Sequence, residues 1–76
     1  MAEGYLMDAK ACFINDRALS LAYEAVRFPA TADSALAWLR RAMAWATVNG
    51  NSQLFSTLRR HYAYVRANGG QGQRTV

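Results

Sequence analysis

Two side chains in this sequence are suited to covalent or metal chemistry, Cys12 and His61, and there is one of each type. A zinc centre needs three or four ligands, and a nucleophile needs a base within hydrogen-bond reach. Neither set can be assembled here. Cys12 stands in a row of apolar residues and is expected as a buried, inert thiol. His61 falls at the rim of an apolar helix face with no second titrating group supplied to it, the usual place of a structural hydrogen-bonding histidine. The glycine-rich stretch Gly69-Gly70-Gln71-Gly72 lacks the Lys-Ser/Thr pair and the helix start of a phosphate-binding loop. No H-x-x-x-H or C-x-x-C pair occurs and no two carboxylates recur at useful spacing. The expectation is a protein without catalytic residues, metal or cofactor.

What remains is recognition. Trp38 and Trp45 are seven residues apart and share a helical stripe with Arg41. Trp and Arg bury large areas at modest ordering cost, so this trio has the composition of a partner-binding hot spot. Coverage by the third helix or by the end of the first is the structural alternative. A second set is cationic. All five acids lie at or before Asp33, and the rest of the chain carries Arg40, Arg41, Arg59, Arg60, Arg66 and Arg74. That half would attract an anion, a nucleic acid or another subunit's acidic half. Arg59, Arg60 and Arg66 are the candidate anion or nucleic-acid contacts, because arginine can form paired hydrogen bonds with guanine from a recognition helix. Against this, Arg59 and Arg66 share one flank while Arg60 faces away from it, lysine is nearly absent, and Leu54 and Phe55 occupy the end of the helix that should be polar. Nucleic acid is therefore the second choice of partner and protein the first.

The elements that position these residues are helices. Alanine occurs 15 times and proline once, so propensity favours helix nearly everywhere. Pro29 restricts Phe28 and ends a first helix, and Thr31 or Asp33 can cap a second. Val48-Asn49-Gly50-Asn51-Ser52 supplies a left-handed stop at Asn49 or Gly50 and a new cap at Asn51 or Ser52. The spacing predicts helices over about 5–28, 32–48 and 52–67 in one domain, residues 1–68, with 69–76 a flexible tail. The short second linker makes helices two and three an antiparallel αα-hairpin. On helix two, Ala32, Ala35, Leu36, Leu39, Ala42, Met43 and Ala46 form the core face; on helix three, Leu54, Leu58, Val65, Tyr62 and Phe55 do.

The first helix carries two apolar rows. Met7, Ile14, Leu21 and Phe28 repeat every seven residues, with Ala11, Ala18 and Ala25 between them, and form the inner seam. Tyr5, Cys12, Leu19 and Val26, with Tyr23 alongside, repeat equally and lie roughly opposite on a wheel. Uninterrupted from Tyr5 to Arg27 the helix would span roughly 35 Å, more than either arm of the hairpin. A break at the capping pair Asn15-Asp16 would divide it, and passage through the middle of its own three-helix fold would cover both rows. The reading adopted is that Tyr5, Cys12, Leu19, Tyr23 and Val26 form an oligomer interface, giving an all-α homodimeric helical bundle.

Size supports that reading. With 76 residues, 53% hydrophobic and 18% charged, the chain is composed as a packed globular domain. A domain this short hides only roughly 60% of its unfolded surface and is marginal without a staple. A lone cysteine permits no internal disulfide. Met1-Ala2-Glu3-Gly4 carries an acid where a secretory signal carries basic residues, and no apolar run reaches the roughly 20 residues of a membrane span. A cytoplasmic protein with no membrane contact is expected.

The segment Asp33-Ser34-Ala35-Leu36-Ala37-Trp38-Leu39-Arg40-Arg41-Ala42 resembles the Asp-Ala-Leu-x-Trp-Leu-x-x-Ala stretch of small helical phage-encoded antagonists of host regulators, such as quorum-sensing anti-activators. The likeness covers about ten residues and is interrupted at Ser34. It implies a helical homodimer that inserts an aromatic face into a bacterial protein and blocks that protein's own dimerisation, DNA site or nucleotide site, with Trp38, Trp45 and Arg41 as target contacts and no catalytic residue of its own.

Overall fold

A computed structural model describes residues 8–68. The fold is all-α: α1 (Ala9–Arg27), a 3-10 turn (Pro29–Thr31), α2 (Ala32–Val48) and α3 (Ser52–Asn68), with no strand among the described residues. Tyr5, Met7 and the segment 69–76 lie outside that range.

Each boundary has a local cause. Asp8 is extended, and its side chain accepts from the Lys10 amide at 2.9 Å, so α1 starts behind it. The helix then runs unbroken through Asn15-Asp16 to Arg27, 19 residues against 17 in each of α2 and α3. That is about 28 Å against about 26 Å, so the large excess of length expected for the first helix is not present. At the other end Pro29 forces Phe28 to φ −128° and ψ 85°, out of the helical register. Phe28 is consequently half exposed instead of completing the inner seam. Thr31 precedes α2 but does not cap it through its side chain; its hydroxyl donates back to the Phe28 carbonyl at 2.8 Å.

Between α2 and α3 a stop and a restart are compressed into three residues. Gly50 takes φ +69°, the amide of Asn51 donates to the Ala46 carbonyl, and the amide of Gly50 donates to the Thr47 carbonyl. Those two bonds satisfy carbonyls that the end of a helix leaves open. The Asn51 side chain then accepts from the Leu54 amide at 3.1 Å and begins α3.

Among the described residues the core contains no buried polar or charged side chain. Its makeup is uneven: α1 contributes Ala11, Ile14, Ala18, Ala22 and Ala25, α2 contributes Ala32, Ala35, Leu39, Ala42 and Ala46, and α3 contributes Leu54, Leu58 and Val65. Alanine faces on two helices allow their backbones to approach closely, and the larger side chains of α3 complete the volume. Leu21, Leu36, Met43, Phe55, Tyr62, Trp38 and Trp45 pack against this centre while remaining partly open. Contact is most extensive between α2 and α3, where Arg40 also donates to the Tyr62 hydroxyl at 3.2 Å.

Candidate functional site: the aromatic cleft between α1 and α2

Ala42 and Trp45 follow Trp38 by four and seven residues, and Arg41 follows it by three, so all four share one side of α2. Lys10, Phe13 and Ile14 share one side of α1 by the same rule. The fold brings these two sides together, and the seven residues line one shallow, open cleft. Trp38 and Trp45 are half-buried and packed on the core. The facing wall of the cleft is Lys10, Phe13 and Ile14, from the first half of α1. The Lys10 ammonium sits 5.8 Å from the centroid of the Trp45 ring, a cation–π contact worth about 0.5–1 kcal/mol at an open site. Phe13 is 63% exposed, and Arg41, on α2, is exposed and lines the same cleft.

Lys10 and Phe13 carry no signal of this role in the sequence. Phe13 belongs to neither seven-residue row of α1, and only the packing of α1 on α2 places it beside the tryptophans. The resulting cleft is lined by three aromatic rings and two cationic side chains. It can take an apolar side chain from a partner while Lys10 and Arg41 meet a carboxylate next to it.

The outward row of α1 lies on a different face. Cys12, Leu19 and Tyr23 are exposed and Val26 is half-buried, with Leu19 44% and Tyr23 61% open. Cys12 is thus not the buried thiol expected from its apolar spacing. The reason is angular distance: Ala22, which belongs to neither row, is buried and extends the core face of α1 toward that row, but the face stops short of Cys12. On a wheel of 100° per residue the outward row lies about 110° from the centre of the buried face, on a flank, not opposite.

On α3, Arg59, Arg60 and Arg66 are all exposed. Ser52, Gln53, Ser56, Thr57 and Arg60 together line a polar depression on its outer side. Leu54 is fully buried and Phe55 half-buried, so the first turns of α3 present polar groups outward despite the apolar pair in their sequence. The Thr57 hydroxyl donates to the Gln53 carbonyl at 3.1 Å. His61 is half-buried, and its pKa is lowered from the ordinary 6.5, first by burial and then by the neighbouring Arg60 charge. Among the described residues no group of three His, Cys, Asp or Glu side chains could hold a metal ion, and no helix is long and apolar enough to cross a membrane.

Comparison of this chain with protein-family models, with curated proteins and with solved structures returns no match.

Proposed function

We propose that this chain is a small non-enzymatic interaction module that binds and blocks a protein partner through the cleft between α1 and α2. The observation that carries the reading is the pair of half-buried tryptophans flanked by Lys10, Phe13 and Arg41. Large rigid rings left partly open beside two cations are a costly arrangement for an idle surface, and they are the groups that dominate binding energies. The partner segment suited to it is an apolar anchor residue next to an acidic one. In this reading α2 and α3 form an antiparallel hairpin that braces the cleft, and the outward row of α1 joins a second copy into a homodimeric bundle. The likeness of residues 33–42 to phage-encoded antagonists supports a bacterial regulator as the target and occlusion as the mode of action, inside the cell.

The test compares the wild-type chain with Trp38→Ala and Trp45→Ala in capture from a nuclease-treated bacterial lysate. Helicity by circular dichroism is the control for folding. Loss of one specific captured protein with helicity kept supports the reading. Equal capture by both variants sinks it.

One observation favours a second reading, an arginine-bearing regulator that meets nucleic acid. The outer face of α3 is polar over Ser52, Gln53, Ser56 and Arg60, which is what a recognition helix presents. Fluorescence anisotropy of a duplex at two salt concentrations, with Arg59, Arg60 and Arg66 changed to alanine together, separates the two. Salt-sensitive binding lost in the triple variant supports nucleic acid; no binding even at low salt ends it.

A further inference from the structure

We infer that the outward row of α1 is covered by α1 of a second copy running antiparallel, with the two-fold axis at Leu19. This rests on the proposed self-association and adds its direction and register. Cys12, Leu19 and Val26 are spaced evenly about Leu19, and Tyr23 stands one turn from it on the same face. An antiparallel pair crossing at Leu19 sets Cys12 beside the partner's Val26 and Leu19 beside the partner's Leu19.

Charge selects this direction. Asp8 and Asp16 lie in the first half of the chain that borders the row, and Arg27 is in the last turn; Asp8, Asp16 and Arg27 are all exposed. In antiparallel register Arg27, whose guanidinium rests 5.5 Å from the Phe28 ring, falls between the partner's Asp8 and the partner's Asp16 along the helix axis. A parallel pair would instead set Asp8 against its own counterpart, and Arg27 likewise, which is repulsive. Opposed helix dipoles act in the same sense. The row occupies only about 60° of the helix circumference, so the pair belongs with small interfaces and is expected to form in the micromolar range.

Disulfide trapping reads the register directly. Cys12 and position 26 of one helix are about 21 Å apart, far beyond the roughly 7 Å a disulfide can span, so they cannot bridge within a chain. Val26→Cys under mild oxidation is expected to give a covalent dimer that consumes both thiols of each chain. The wild-type chain, with Cys12 alone, stays uncrosslinked. A second variant, Leu19→Cys in a Cys12→Ser background, is expected to bridge to its own counterpart at the axis. Arg17→Cys in the same background, about 150° around α1 from the row, does not. Ready wild-type crosslinking through Cys12 would mean a parallel pair and overturn the inference. Failure of both bridging variants, helical by circular dichroism, overturns the register while leaving self-association in place if light scattering still gives a dimer. A wild-type monomer at hundreds of micromolar overturns both. As a charge test, Asp16→Arg is expected to weaken the dimer about tenfold, and adding Arg27→Asp to restore it.

Discussion

The two sides of α2 invert the usual distribution of size. Its buried side is built from Ala32, Ala35, Ala42 and Ala46 around one large residue, Leu39, whereas its largest side chains, Trp38 and Trp45, stand at the edge of the core with part of each ring open. α1 repeats the pattern, with Ala11, Ala18, Ala22 and Ala25 inside and Phe13, Leu19 and Tyr23 outside. In a domain of this length a core of alanines releases less apolar area from water than leucines would. The rings left outside hold apolar area that another molecule can still remove from water. On the proposed function, stability and binding fall to different residues on the same helices.

The comparison breaks most readily at its large buried members. Leu39 is fully buried between the alanine faces, and Leu39→Ala should cost about 2–5 kcal/mol, enough to leave much of a marginal domain unfolded in urea titration. Ala18, also fully buried, probes the same interior from the opposite direction. Ala18→Leu should destabilise by about 1–3 kcal/mol, because closely approaching helices have no room for three more carbons; an unchanged urea midpoint would show the α1 face to be loosely packed.

Gly50 tests the link between the helices and not their faces. Its φ is +69°, and nothing lies within 4 Å of where a Cβ would be. Gly50→Ala should therefore cost about 1 kcal/mol from backbone strain alone, with the helix content of the folded state retained. The outward residues should respond least. Leu19→Glu, measured at a concentration low enough for single chains, should shift the unfolding free energy by no more than about 0.5 kcal/mol, while abolishing association. A large loss of single-chain stability would place Leu19 in the core and cancel the division of labour.

The smallest expected effect is a pH dependence. His61 has a lowered pKa in the folded state, so the unfolded chain binds the proton more readily. Stability is unaffected by this group above the unfolded value, and falls as pH drops through 6.5 toward the folded value. Replacing His61 by Asn should flatten that part of the urea midpoint against pH, and an identical slope in the variant would assign it to other groups.

Much of the fold is legible along the chain because its punctuation is local. Pro29, Gly50 and Asn51 each act on backbone groups within a few residues, and the buried faces of α2 and α3 follow from spacing; the Asp8 cap, which starts α1 at Ala9 and not near Tyr5, lies outside the sequence reading. Phe28 is a failure of periodicity: it stands in the seven-residue pattern, but Pro29 takes it out of the helix before its turn is complete. Cys12 fails for a different reason. An apolar row marks a face that avoids water, yet it does not say whether the same chain supplies the cover. The cleft was half legible, since Trp38, Arg41 and Trp45 share a stripe on one helix, while Lys10 and Phe13 had no pattern to mark them.

The sequence by itself determined the all-α class of the described residues, the stops and restarts at Pro29 and at Asn49 to Ser52, and the buried faces of α2 and α3. Those properties depend on propensity, capping and residue type, all of which act over a turn or two of helix. Only the tertiary structure decided that the first half of α1 lines a cleft with the tryptophans, that the buried face of α1 extends to Ala22, and that Lys10 and Arg41 line that one cleft together. Those facts depend on the rotation of one helix against another, which is set by the sum of many weak packing contacts between residues far apart in the chain.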